Sequence, residues 1–197
     1  MYNKYFKRII DVIGSIVLLP IIAIIYIIVG PLIKIEDGGP ILYNSKRVGK
    51  NGILFNMHKF RTMKQNAPDF RNEDGSTFNS EKDPRLTRIG KKLRKTSLDE
   101  IPQLINVLKG DMSFVGPRPD TPKALEIYTE EDRKKLNTKP GITGYNQAYF
   151  RNSIPQNYKF KNDVFYTENI SFIFDLMIII QTVKSVIFRE NINNKEG

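Results

Sequence analysis

The sequence predicts a helix-rich α/β protein in two parts. Residues 1–35 read as a re-entrant membrane helix-hairpin, and residues 36–190 as a small cytoplasmic domain with a β-hairpin and amphipathic interfacial helices, followed by a tail at 191–197. Three observations carry this. From Val12 to Ile33 the chain runs 22 residues without a charge, mostly Ile, Val and Leu, roughly 33 Å of straight helix at 1.5 Å per residue. Two β-rich stretches, Ile41–Val48 and Ile53–Phe60, flank Asn51-Gly52, the dipeptide that best tolerates the positive φ angles of a tight hairpin turn. A second apolar helical pattern covers Asn169–Arg189, but its uncharged core, Leu176–Val183, is too short to cross a bilayer. It reads equally as a core helix or as one lying in the headgroup plane.

Hydropathy alone favours a single spanning helix for the first segment. Two features argue for a hairpin instead. Pro20 lies inside the run, where it deletes an intrahelical hydrogen bond and bends the helix. The arms Val12–Leu19 and Ile21–Ile33 are then each shorter than the ~30 Å hydrocarbon core. Lys4, Lys7 and Arg8 precede the run and Lys34, Lys46, Arg47 and Lys50 follow it, so both flanks carry the charge of a cytoplasmic side.

Downstream, Gln65–Asp83 is polar and reads as a long mobile loop of the kind that closes over substrates. Thr121–Leu136 reads as helix and Pro140-Gly141 as a break. Lys plus Arg total 31 against 21 Asp plus Glu, a net charge of +10, which selects anionic partners: nucleic acid, phosphorylated metabolites or acidic lipid. Lys34–Ser97 holds 15 of the basic residues against 7 acidic ones. Within it Arg88, Lys91, Lys92 and Lys95 fall on one helical face, suited to lipid or phosphate. The chain has no Cys and a single His, His58. Disulfides, thiolate nucleophiles, Cys-ligated zinc and His-rich metal sites are thereby excluded.

The chemistry then rests on carboxylates and cations. Asp99-Glu100 opens a segment that ends at Gly110. Ser97 and Glu100 have capping-box spacing, or Asp99 is itself the N-cap with Pro102 in the first turn. Spacing alone favours capping, but adjacent carboxylates fed by basic residues also suit phosphate handling, through Mg²⁺ coordination or direct attack on phosphorus. Arg118 stands between Pro117 and Pro119, which fix the backbone and present a guanidinium at low entropic cost.

These residues are recognisable together. Lys59-Phe60-Arg61-Thr62-Met63, Leu86-Thr87-Arg88-Ile89-Gly90, Asp99-Glu100-Ile101-Pro102-Gln103, Gly110-Asp111-Met112-Ser113 through Gly116-Pro117-Arg118-Pro119, and Lys139-Pro140-Gly141-Ile142-Thr143-Gly144 resemble the bacterial sugar transferase family, the monotopic phosphoglycosyl transferases. The resemblance runs from the N-terminal segment to about Arg189. It implies transfer of a sugar-1-phosphate from a UDP-sugar donor to polyprenol (undecaprenyl) phosphate with release of UMP, an early membrane step of surface polysaccharide biosynthesis. It also implies a covalent intermediate on Asp99, Mg²⁺ as cofactor with Asp99 at the metal, Glu100 as second carboxylate, and a re-entrant anchor. Arg118 with Pro117 and Pro119 would bind the nucleotide, Arg151 phosphate, and Lys59, Arg61, Arg85 and Arg88 the substrates.

The implied location is the cytoplasmic face of the bacterial inner membrane. The implied partners are membrane lipid and the two substrates, with homodimerisation left open and nucleic acid excluded. The chain departs from the family pattern after Gly144, where Tyr145-Asn146-Gln147-Ala148-Tyr149-Phe150-Arg151 replaces the commoner Trp-Ala-Gln-Val-x-Gly-Arg. The competing reading is a membrane-tethered basic nucleic-acid-binding or nuclease-like protein. It suits the charge and the carboxylate pair and leaves Pro117-Arg118-Pro119 unexplained.

Overall fold

The computed structural model describes residues 2–70, 80, 83–150 and 153–188. Most of the polar loop, the tail and Arg151 lie outside them. A π-helical turn, Tyr2–Phe6, leads into α1, Lys7–Asp37. β1 (Leu42–Val48) and β2 (Leu54–Phe60) follow, then α2 (Arg88–Thr96), a single 3-10 turn Leu98–Glu100, α3 (Gln103–Lys109) and β3 (Ser113–Val115). The chain continues with α4 (Ala124–Ile127), α5 (Glu130–Arg133), β4 (Gly141–Thr143), α6 (Tyr145–Tyr149), α7 (Gln156–Glu168) and α8 (Phe172–Ile187).

α1 is one helical element with Pro20 and Pro31 inside it. With the turn before it, it is the one helix among the described residues long and apolar enough to cross a membrane. Its two ends dock on the same body. Near the N-terminus Lys7 bonds Asp175, Arg8 donates to the last carbonyls of α3, those of Val107 (2.6 Å) and Leu108 (2.8 Å), and Asp11 accepts from Ser113 Oγ and Phe114 N, both at 3.0 Å. At the far end Asp37 pairs with Arg61, and the Glu36 carboxylate accepts from the N–H groups of Arg88 and Ile89. That places an anion on the orphan donors at the start of α2. Between these anchors Ile16, Val17, Ile21, Ile24, Ile27 and Ile28 face outward.

The hairpin forms as the sequence predicts. β1 and β2 pair antiparallel from Leu42↔Phe60 to Val48↔Leu54, and Asn51 and Gly52 both adopt positive φ, 56° and 77°. A second, two-stranded sheet has no counterpart in the sequence analysis. Pro140-Gly141 does not simply break the chain, because Gly141–Thr143 pairs in parallel with Ser113–Val115. The strands touch where two glycines meet: a Cβ on Gly116 would lie 2.4 Å from the Lys139 carbonyl oxygen, and one on Gly141 would lie 2.1 Å from the Gly116 nitrogen. Side chains at either place would push the strands apart.

Thr121–Leu136 is not one helix. The chain turns extended at Tyr128, whose ring packs edge-on against Phe160 and whose hydroxyl donates to Asp120 at 2.6 Å. Thr129 then restarts a helix with a capping box to Asp132.

The core is divided into small clusters. Val29 and Ile33 of α1 meet Phe60 and Leu93, and Val115, Ala148, Tyr166 and Ile178 pack together under α8. On α8 the buried positions include Asp175, Ile178 and Ser185, while Phe172, Ile173, Leu176, Met177, Ile179, Ile180 and Val183 are exposed. α8 thus does both: it sends Ile178 into the core and leaves an extended apolar face outward.

Candidate active site

The dyad does not cap a helix. Ser97 ends α2 in the left-handed region (φ 57°), makes no side-chain cap, and reverses the chain into the 3-10 turn that carries Asp99 and Glu100. α3 starts only after Pro102. The carboxylates are thus freed from helix-capping bonds and turned toward β2 and the loop after β3.

Glu100 accepts from Lys59 Nζ at 2.5 Å and from Arg118 NH1 at 3.4 Å. Burial works to raise its pKa, yet Lys59 and Arg118 outweigh it and hold the carboxyl at about 2. Asp99 is buried, and among the described residues its carboxylate accepts no hydrogen bond. Burial pushes it up from the ordinary carboxylate range. Lys59 opposes, the adjacent Glu100 charge adds, and Arg94 and Arg118 pull it back down. Two neighbouring carboxylates are therefore driven apart, one pinned as an anion and the other left basic and unpartnered.

Each cation arrives from a different element. Lys59 is set by the hairpin register opposite Tyr43. Arg118 is exposed between buried Pro117 and Pro119. Its loop is tied down on both sides, by the Pro117 carbonyl accepting from Gly141 N (2.9 Å) and the Asp120 carbonyl accepting from Val48 N (3.0 Å). Arg94 was not singled out by the sequence analysis. Its Nε donates to Thr62 Oγ1 at 3.0 Å, and burial lowers its pKa against the pull of Asp99 and Asp83. The signal was present: Arg94 falls off the face shared by Arg88, Lys91, Lys92 and Lys95, on the side of buried Gly90 and Leu93.

The remaining sequence candidates are placed differently. Arg61 lines the cleft, but its guanidinium is engaged by Asp37 and the Pro40 and Met63 carbonyls. Arg85 does so too, held by Asp83 and the Pro68 carbonyl. Arg88 is exposed on α2 and does not line the cleft. Arg151 lies outside the described residues.

Asp99, Glu100, Lys59, Arg94 and Arg118 share a cleft of about 2750 Å³, bounded also by Leu18 of α1 and Thr182 and Val186 of α8. This exceeds the roughly 300–1,000 Å³ of single-ligand pockets. Among the described residues no group of three or more His, Cys, Asp or Glu side chains could hold a metal by itself. The donor set nonetheless fits Mg²⁺, which takes one or two carboxylates and completes its shell from phosphate oxygens and water; Asp99 is the carboxylate that could serve it.

A cleft with a buried carboxylate, a fixed carboxylate and three cations suits transfer of a phosphorylated group. The chain belongs to the bacterial sugar transferase family, whose sequence profile matches residues 2–189. It is 43% identical over 189 residues to the galactosyl transferase CpsE of Streptococcus agalactiae, covering 92% of this chain and 42% of that protein. It is 41% identical to the uncharacterized sugar transferase EpsL of Bacillus subtilis, covering 94% of this chain and 89% of the relative. It is also 39% identical to the undecaprenyl-phosphate galactose phosphotransferase of Salmonella typhimurium, again over 42% of that protein. The chain therefore spans less than half the length of the first and third relatives.

Proposed function

We propose that this protein transfers a sugar-1-phosphate from a UDP-sugar to polyprenol phosphate, of which undecaprenyl phosphate is the form named for the Salmonella relative. The observation that carries the reading is the asymmetry of the dyad: Asp99 buried, its pKa raised by burial and its carboxylate without a hydrogen-bond partner among the described residues, beside a Glu100 held by two cations. A carboxylate oxygen of Asp99 attacks the β-phosphorus of the donor. The bond from that phosphorus to the bridging oxygen breaks, UMP leaves with the electron pair, and an aspartyl phosphosugar remains. A phosphate oxygen of the polyprenol then attacks the same phosphorus, giving the lipid diphosphosugar and returning the Asp99 carboxylate.

Lys59, Arg94 and Arg118 supply positive charge to the phosphoryl oxygens without moving, because Glu100, Thr62 and the two prolines already hold them. Mg²⁺, when bound at Asp99 and the donor phosphates, would neutralise charge on the leaving group.

The acceptor's headgroup lies at a membrane surface; two features support an active site held there, and the basic flanks of the apolar run favour the cytoplasmic side. Both ends of α1 dock on one body, which is what a re-entrant anchor requires, and the outward apolar faces of α1 and α8 suit lipid. An Asn3→Cys variant of this cysteine-free chain then resists an impermeant thiol reagent in intact cells and reacts after lysis; labelling in intact cells would establish a spanning anchor instead. The activity is tested by incubating membranes that contain the protein with a panel of UDP-sugars and undecaprenyl phosphate. UMP release with at least one donor, and a phosphosugar adduct on Asp99 when acceptor is withheld, are expected. No UMP from any donor would overturn the reading.

A further inference from the structure

Among the described residues three buried side-chain polar atoms lack a hydrogen-bond partner, and two of them belong to one residue: Nε2 and Oε1 of Gln147. Buried amides are almost always satisfied, and an exception calls for a physical reason. The contrast with its neighbour is direct. Asn146 donates to the Lys159 carbonyl (2.8 Å) and to Asp163 (2.7 Å) and accepts from Asn162 (2.9 Å), so every polar group of that amide is engaged. One residue on, Gln147 has the same chemistry and nothing to bond.

Gln147 lines the cleft that holds Asp99, Glu100 and Arg118. Its Oε1 sits beside Gly144, itself packed on the Gly116 carbonyl at the root of the Pro117-Arg118-Pro119 loop. α6, which carries it, is held at its start by Ala148 N donating to the Gly144 carbonyl (2.9 Å). The amide thus sits out of bulk water on an ordered helix beside the cleft.

We infer that Gln147 is a specificity contact for the donor substrate, its amide taking a paired edge that offers one acceptor and one donor side by side. Such an edge occurs on the uracil imide and on the hydroxyl or acetamido groups of the sugar. A cation cannot read it, since Lys59, Arg94 and Arg118 only donate. A buried site built to hydrogen-bond its ligand rejects analogues that lack the partner, because its own groups are then left unpaired. The inference rests on the UDP-sugar reading above and adds a residue that distinguishes one donor from another.

The test uses the full chain in membranes or detergent, comparing the native protein with Gln147→Met and Gln147→Leu. Removing an unpartnered buried amide leaves the melting temperature equal or higher, whereas a merely structural glutamine would lower it. The donor KM rises about tenfold or more. If the inhibition constant of UDP rises in step, the edge read is uracil. If UDP binding is unchanged while the ranking of UDP-sugars flattens, the edge is on the sugar. Either result upholds the inference. Unchanged KM, UDP inhibition and donor ranking in a folded variant overturn it. Should both apolar variants fail to accumulate, Gln147→Glu, which keeps an acceptor and loses the donor, is read the same way. Native UMP release across the panel reports separately on the proposed function, so a silent native protein and an indifferent Gln147 variant are different failures.

Discussion

Two clusters of carboxylates and cations flank the Pro117-Arg118-Pro119 loop, and they are built to opposite rules. Behind the loop, Lys135 is buried and donates to Asp120 (2.7 Å) and Asp163 (2.5 Å). Tyr128 adds a bond to Asp120 and Asn146 one to Asp163, and the ammonium lies over the rings of Tyr128 and Phe160. In front of the loop, Glu100 is paired with Lys59 and Arg118, while among the described residues the Asp99 carboxylate accepts no hydrogen bond. Burial is common to both clusters; saturation is not. Where buried charges are matched by several partners, a charge cluster fixes geometry, here the position of the Arg118 loop against α6, α7 and the turn that carries Lys135. Where one buried carboxylate is left unmatched, its charge is held at a cost, which is the setting the proposed attack on the donor phosphorus would use.

The largest expected effect is on the unmatched carboxylate. Asp99→Asn keeps size and shape but removes the proposed nucleophile, so turnover falls on the order of 10⁴-fold and the phosphosugar adduct disappears from mass spectra. Stability does not fall with it. Asp99 makes no hydrogen bond to lose, and burial already disfavours its charge, so the melting temperature holds or rises. Full activity in Asp99→Asn would move the chemistry elsewhere.

The saturated cluster responds the other way round. Lys135→Met leaves Asp120 and Asp163 buried without their cation, at a cost of about 3–5 kcal/mol, read as a shifted denaturation midpoint. A loss below about 1 kcal/mol would mean the cluster behaves like a surface pair, and the comparison between the two sites would collapse.

These contrasts explain what was legible in the sequence. Asn51-Gly52 encodes its turn in two adjacent residues, and Pro117-Arg118-Pro119 declares an anchored guanidinium, so the hairpin and Arg118 could be read locally. The β3–β4 pair could not: Ser113 and Gly141 are joined across a long stretch of chain by strands of three residues each, and no periodicity survives in so short a run. The resemblance implies that Arg61 and Arg85 bind the substrates, and nothing in their spacing reveals that Asp37 and Asp83 engage them. The break at Tyr128 was announced by Thr129 and Asp132 in capping-box spacing and was overridden by the helical pattern around it. Asp99 and Glu100 were found as a pair, but their division of roles depends on Lys59 and Arg94, which arrive through tertiary packing.

Acid titration sharpens the same comparison with a smaller effect. The Glu100 carboxyl is held at about 2, below its ordinary 4.5, so between those values the unfolded chain binds more protons than the folded one. Its contribution to stability is therefore fully present above about pH 4.5 and is lost as pH falls toward 2. Asp163 is pushed up by burial against Lys135 and contributes with the opposite sign, its burden growing as pH rises through its titration. Glu100→Gln removes on the order of 2–3 kcal/mol at neutral pH, and its unfolding curve converges on the native one near pH 2. Parallel curves across that range would show that Lys59 and Arg118 do not hold Glu100 as an anion.

The smallest expected effect probes the loop both clusters share. Arg118 is exposed, and its bonds to Glu100 are long, 3.4 and 3.5 Å, so the guanidinium is placed by its backbone more than by its partner. The prolines fix that backbone, and Asp120 behind it is locked by Lys135. Arg118→Lys keeps the charge and the loop but replaces a planar fork by a point charge on a flexible stem. If Arg118 serves only as positive charge, donor KM is unchanged. If it grips phosphate oxygens in a bidentate manner, donor KM rises about tenfold with a smaller change in kcat, and Asp120→Asn, which loosens the loop while leaving Arg118 intact, shifts KM in the same direction. A KM indifferent to both substitutions would remove Arg118 from the donor site and leave Lys59 and Arg94 as the cations that face Asp99.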